Sequence, residues 1–173
     1  MADVKQEAVD LKRKLKGFLT TSTKYELKDR HDLSVAYTPG VAEPCLLIKD
    51  NEEESFNLTC RGNMVAVVSD GTRVLGLGNI GAAAAMPVME GKALLFKKFG
   101  DVDCVPLVID TEDPEEFIHT VKLLQKNYAG INLEDISSPK CYEIENRLKK
   151  ELEIPVFHDD QHGTAIACLA GVK

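Results

Sequence analysis

Two acidic pairs stand out, Glu134-Asp135 in GINLED and Asp159-Asp160 in PVFHDD. Each pair closes a short apolar run, and neighbours in an extended chain point to opposite faces. Within each pair, therefore, one acid is free to act as a ligand while the other supports it. Carboxylates brought together repel one another unless a cation lies among them. Hard oxygen donors of this kind suit Mg2+ or Mn2+. The competing reading is that these are surface acids capping the helices that follow. His158 and His162 bracket the second pair as HDDQH. Nitrogen ligation competes there with a capping or hydrogen-bonding role, and the latter is favoured.

Lys92 follows Glu90-Gly91 inside an apolar stretch, Ala93-Leu94-Leu95-Phe96. A lysine with a buried stem loses basicity and becomes able to act as a general base. Tyr37 precedes Thr38-Pro39-Gly40, whose Pro-Gly centre suits a type II turn. On type and position alone, the structural reading of both residues is favoured over the catalytic one. The segment Gly76-Leu77-Gly78-Asn79-Ile80-Gly81 matches G-x-G-x-x-G, the phosphate-binding fingerprint of dinucleotide domains. Pro87 falls in what would be the second turn of the next helix, and the acid about 20 residues on, Asp101, sits in a Gly-Asp loop. The preferred reading is a glycine-lined substrate loop, with Gly76 and Gly78 letting backbone approach a small ligand.

The elements that must position these residues follow from periodicity. Three runs, 105–110, 130–135 and 155–160, end in Asp110, Asp135 and Asp160, spaced 25 residues apart. Between them lie two helical stretches. One opens at Asp113-Pro114 and carries Phe117, Val121 and Leu124; the other opens at Ser138-Pro139 and carries Tyr142, Ile144 and Leu148. This spacing predicts parallel βαβ units with right-handed crossovers, which bring all three acidic ends to one sheet edge. Upstream, MVAVVSDG-TRVLGLG reads as two β segments joined by a hairpin turn at Asp70-Gly71, followed by a helix from about Pro87 to Phe99. DNEEES at 50–55 reads as a solvated acidic loop. The fold class expected is α/β, a three-layer sandwich with a mainly parallel sheet, preceded by an amphipathic helix. That helix carries Val4, Ala8, Leu11, Leu15 and Phe18 as one stripe, packed on its own domain or exchanged with a partner subunit. Residues 1–20 form this arm and 21–173 the domain.

Bulk properties narrow the function. A chain of 173 residues with 44% hydrophobic and 28% charged residues has enough apolar material for one cored domain. A net charge of -7 argues against nucleic acid or an anionic membrane as the main partner. Five cysteines, odd in number and scattered, read as reduced thiols rather than a disulfide framework. With no secretory signal and no long apolar run, a cytoplasmic location is expected.

Four segments, SVAYTPGVAEPC (34–45), VVSDGTRVLGLGNIGAAAAMPVMEGKALLFKKFG (67–100), GINLEDISSPKC (130–141) and PVFHDDQHGTAIACLAG (155–171), resemble the N-terminal domain of malic enzymes, most closely the smaller bacterial-type branch. The resemblance implies oxidative decarboxylation of L-malate to pyruvate and CO2 with a divalent metal and NAD+ or NADP+. It implies that Lys92 is the general base, its pKa lowered from about 10.4 by Arg73 and the metal, and that Tyr37 protonates enolpyruvate. It assigns Arg73 to a malate carboxylate, Glu134, Asp135 and Asp160 to Mg2+ or Mn2+, and Asp159 to the support of Lys92 or the metal shell. A homodimer or larger assembly is implied as well. The family's Rossmann domain, which binds the nicotinamide, has no counterpart in these 173 residues, so a fragment or a chain completed by a partner is expected. A non-catalytic malate- and metal-binding or assembly module is the alternative. A receiver-like phosphoacceptor is a third reading, disfavoured because its acidic pair belongs on the first strand.

Overall fold

A computed structural model describes residues 3–172. The chain divides into two compact units, Thr20–Gly62 and the remainder on either side of it.

In the larger unit, α1 (Val4–Leu15) is capped by Asp3, whose carboxylate accepts the Lys5 N–H. None of its residues is buried, and Val4, Leu11 and Leu15 remain exposed. Lys12 ties it to the rest of the unit through an ion pair with Glu90 at 2.6 Å. The sheet is built from β1 (Met64–Ser69), β2 (Asp103–Val108), β3 (Gly130–Leu133) and β4 (Val156–His158), in the order β2-β1-β3-β4 with every pair parallel. β1 lies between two neighbours, which is why Ala66, Val67 and Val68 form an unbroken buried run rather than an alternating one. The expected α/β architecture with its mainly parallel sheet and leading helix is present, and the sheet is wholly parallel.

Helices α5 (Ala82–Gly100), α6 (Pro114–Leu124) and α7 (Lys140–Glu151) make the crossovers. α5 lays Ala82, Ala85, Met89 and Ala93 against β1 and β2, and three alanines let the helix approach closely. Asp113 caps α6 by accepting the N–H groups of Glu115 and Glu116, with Pro114 in the first turn as expected. α7 begins one residue later than Ser138-Pro139 predicts, with Pro139 at its cap after a cis Ser138–Pro139 bond.

The hairpin expected at Asp70-Gly71 does not form. β1 pairs in parallel on both sides, so an antiparallel partner has no free edge to join. Residues 70–81 instead form a loop with a single bridge, Val74 to Gly78. The crossover from β1 leads one way to β2 and that from β3 leads the other way to β4, so β1 and β3 flank a topological switch point. Such crevices, outside the carboxyl ends of the strands, are where open α/β sheets bind ligands.

After β4 the chain runs through a π-helical turn, Asp159–Gly163, into α8 (Thr164–Val172), an apolar helix with no buried residue. The smaller unit holds α2 (Arg30–Ala36), α3 (Ala42–Asp50) and α4 (Glu54–Leu58), and its buried Arg61 donates to Ser55 Oγ at 2.7 Å and lies over the Phe56 ring. The acidic segment 50–55 therefore runs partly into helix, with Ser55 buried. No helix among the described residues is long and apolar enough to cross a membrane.

Candidate active site

The loops after β1 and β3 are stitched together at the switch point. Buried Asp70 accepts from the Thr72 N–H at 3.0 Å and from the Thr72 hydroxyl at 2.6 Å, and its other oxygen pairs with Lys140 at 2.7 Å. Thr72 Oγ1 in turn accepts the Ser137 N–H. The Arg73 N–H donates to the Asp135 carbonyl at 3.0 Å, which sets the two loops side by side. Gly71 lets the loop after β1 close on itself: its φ is +72°, and a Cβ there would lie 2.3 Å from the Gly81 carbonyl oxygen.

Glu134 and Asp135 follow β3 directly and are both 5% exposed. Glu134 Oε2 accepts from Asn132 Nδ2 at 2.9 Å, and Oε1 lies 3.0 Å from Lys92 Nζ. Burial nevertheless pushes its pKa up to about 7, with Asn132 and Lys92 pulling the other way. Asp135 takes a left-handed backbone, φ 56°, and its N–H donates to Asp160 Oδ2 at 3.0 Å. Its pKa is raised by burial first and by Asp160 second. Ligand oxygens of Glu134, Asp135 and Asp160 all fall within 4.8 Å of one another. Asp110 follows β2, on the far side of β1, and stays exposed and outside this cluster, so two of the three expected acidic ends meet.

Lys92 projects from α5 between Asp159, at 2.5 Å, and Glu134. Burial alone lowers a lysine pKa, but the hydrogen bond to Asp159 and the charge of Glu134 outweigh it and hold Lys92 above its ordinary value. The sequence led to the opposite expectation because it did not reveal that two carboxylates would flank the ammonium. Arg73, Leu75, Asp135 and Asp160 line a cavity of about 330 Å³, so the arginine borders the same space as two of the clustered acids. The Arg73 Nη1 donates to the Leu75 carbonyl.

The loop from Gly76 to Gly81 lies open: a Cβ at Gly76, Gly78 or Gly81 would meet nothing within 4 Å. It does not follow a strand of the sheet directly, and Asp101 caps the end of α5 in a left-handed conformation rather than ending a strand. A dinucleotide fingerprint requires strand, turn and helix in immediate succession. Tyr37 belongs to the smaller unit, where it caps α2 and is exposed. The turn beside it is not type II: Gly40 lacks the positive φ that type II needs at its third residue, and the Val41 N–H closes onto the Tyr37 carbonyl.

Both histidines of HDDQH stay outside the carboxylate cluster. His158 is fully buried, and burial holds its pKa below the ordinary imidazole value. His162 Nδ1 lies 2.8 Å from Glu145, the hydrogen-bonding role favoured for it. Glu145, Asn132 and the Asp70–Lys140 pair were not singled out from the sequence. One signal was available for Glu145, a charged residue inside the apolar stripe Cys141, Ile144, Leu148.

Fold and cluster together define an α/β domain that gathers carboxylates, a lysine and an arginine at the carboxyl edge of a parallel sheet. The chain belongs to the malic enzyme family: residues 16–115 and 111–149 match the family model described as "Malic enzyme, N-terminal domain". It is 54% identical over 169 residues to a bifunctional malic/malolactic enzyme of Bacillus subtilis, covering 98% of this chain and 41% of that protein. It is 59% identical over 156 residues to an NAD-dependent malic enzyme of Geobacillus stearothermophilus, covering 90% of this chain and 33% of the relative. The crystal structure of malic enzyme from Pyrococcus horikoshii superposes with a TM-score of 0.96 at 51% identity, over 98% of this chain and 40% of that one. The chain thus spans less than half the length of these relatives.

Proposed function

We propose that this chain supplies the substrate- and metal-binding half of a malic enzyme, which converts L-malate to pyruvate and CO2 with reduction of NAD+ or NADP+. The observation that carries the reading is the meeting of Glu134, Asp135 and Asp160 within 4.8 Å, beside Lys92 and on a cavity shared with Arg73. The residues fit a divalent cation. Asp135 Oδ2 is buried without a hydrogen-bond partner, and the set is all oxygen, as Mg2+ and Mn2+ prefer. When bound, such an ion supplies Lewis acidity, drawing charge from the keto oxygen of oxaloacetate as CO2 departs.

The chain's own residues bind, orient and move protons. Arg73 grips a malate carboxylate through its planar fork, and open Gly76 and Gly78 let backbone approach the same small ligand. Lys92, once deprotonated, takes the C2 hydroxyl proton; Asp159 and Glu134 hold its Nζ in place for that task. When the C3–C4 bond of oxaloacetate breaks, its electron pair forms the C2–C3 double bond of the enolate and CO2 leaves. Tyr37 then donates a proton to C3 of enolpyruvate. The glycine loop does not fit a dinucleotide, and in this reading the nicotinamide is held outside the described residues.

Calorimetric titration of the chain with Mn2+, with and without L-malate and repeated on Asp160→Ala, tests the reading. Saturable binding, strengthened by malate and abolished by the substitution, is expected. A folded chain with no saturable Mn2+ binding would overturn the claim that these acids are assembled for a metal.

A further inference from the structure

Glu145 is the most buried acid outside the carboxylate cluster, 1% exposed in the face that α7 turns to the sheet. A carboxylate in such a place is costly unless it is fully paired. Lys149, one turn on, lies 2.7 Å from its Oε1 and answers the charge. The same oxygen has two further partners. It accepts the His158 N–H at 2.9 Å and lies 2.8 Å from His162 Nδ1. His158 is the last residue of β4 and His162 belongs to the π-helical turn, so one oxygen grips both ends of the segment His158–His162.

What lies between those ends gives the grip its significance. Asp159 reaches Lys92 and Asp160 reaches the Asp135 N–H, so both acids of HDDQH leave this short segment toward the candidate site. A π-helical turn is rare and concentrated at functional sites. Its direction must be set by something outside it. Gly163 at its end has no room for a side chain, because a Cβ there would stand 2.0 Å from Asp159 Oδ1. The turn therefore closes on its own Asp159 carboxylate, and Glu145 tethers it from outside.

We infer that Glu145 is a positioning residue: by holding His158 and His162 it fixes the angle at which Asp159 and Asp160 leave β4, and so the geometry of the acid cluster, without itself touching metal or substrate. The inference rests on the reading of Glu134, Asp135 and Asp160 as metal ligands. A residue that merely packed α7 onto the sheet would affect stability alone.

The test uses the full chain with Glu145→Gln, Glu145→Met and Lys149→Met. Glutamine keeps the acceptor oxygen, methionine keeps only the length, and Lys149→Met removes the charge partner while leaving the grip. Mn2+ affinity, urea unfolding and amide hydrogen exchange are measured on each. Glu145→Met is expected to weaken Mn2+ binding by roughly 10- to 100-fold, the usual range for groups that orient ligands. It should also speed exchange over 158–164 by about tenfold while β1 is unchanged. Glutamine should restore most of both, and Lys149→Met should lower stability without either effect. Should Glu145→Met not fold, His162→Phe, at an exposed ring, removes one arm of the grip and must show the same pattern in smaller measure. Unchanged affinity and exchange in the folded variants would overturn the inference, as would Lys149→Met reproducing both effects. If the unsubstituted chain fails to bind Mn2+, the metal reading falls separately and hydrogen exchange alone decides the grip.

Discussion

Gly163 and Asp159 are in such close contact that a Cβ on the glycine would stand 2.0 Å from Asp159 Oδ1 and 2.9 Å from its Cγ. The other oxygen of that carboxylate holds Lys92 at 2.5 Å. Gly163→Ala must therefore displace Asp159, and with it one of the two carboxylates that fix the lysine. We expect a loss of about 1–3 kcal/mol in urea unfolding, the usual cost of overpacking. The Lys92 ammonium signal in a low-temperature NMR spectrum should shift or broaden. An unchanged signal and unchanged stability would show that the carboxylate has room to move aside.

Asp160 serves twice, as a candidate metal ligand and as the acceptor for the Asp135 N–H. Asparagine and alanine separate the two roles. Both should abolish stabilisation by Mn2+, which for the unsubstituted chain is about 2.7 kcal/mol at a hundred times Kd and is reversed by a chelator. Only Asp160→Ala should also destabilise the metal-free chain, by about 0.5–1.5 kcal/mol for the lost hydrogen bond. Thermal unfolding with and without Mn2+ reads both effects, and an Asn variant that still responds to metal would remove Asp160 from the ligand set.

The parts of this molecule that were legible in the sequence are those governed by local rules. The 25-residue spacing of Asp110, Asp135 and Asp160 gave parallel strands with helical crossovers, and Asp113-Pro114 gave the start of α6. The segment after Asp70 misled, because Asp-Gly favours a hairpin turn locally while β1 had already filled both its edges with β2 and β3. Strand order explains why Asp110 stays apart from the other acids, and order is not written in spacing. The contact of Lys92 with Asp159 and that of Glu145 with His158 join residues 67 and 13 positions apart, which no local pattern encodes.

Thiol reactivity offers a check on burial. Cys104 is pushed up to about 12 by burial, and buried Cys141 is raised for the same first reason, while Cys45, Cys60 and Cys168 are exposed. Raising a thiol pKa removes the thiolate that reacts, so half-buried Cys104 and buried Cys141 should be almost inert at pH 8. A disulfide reagent should titrate three thiols rapidly in the folded chain and all five in denaturant. Fast reaction of Cys104 in the folded chain would mean that β2 opens far more readily than its pairing with β1 implies.

The proposed chemistry separates Lys92 from Tyr37 by step, and that separation is measurable in a chain extended to the full length of its relatives. Lys92 acts when the C2 hydroxyl loses its proton, and Tyr37 acts only when C3 gains one. Lys92→Ala and Tyr37→Phe should each lower the overall rate by about 10²–10⁴, the range for a positioned acid or base. Lys92→Ala also leaves Glu134 without its cation, so it should depress every partial reaction that needs the acid cluster intact. Tyr37→Phe keeps every acid of the cluster and should spare the reduction of pyruvate-like ketones, which needs no proton at C3. Equal loss of ketone reduction and of overall turnover in Tyr37→Phe would take the tyrosine out of the enol step and make it a residue of substrate binding.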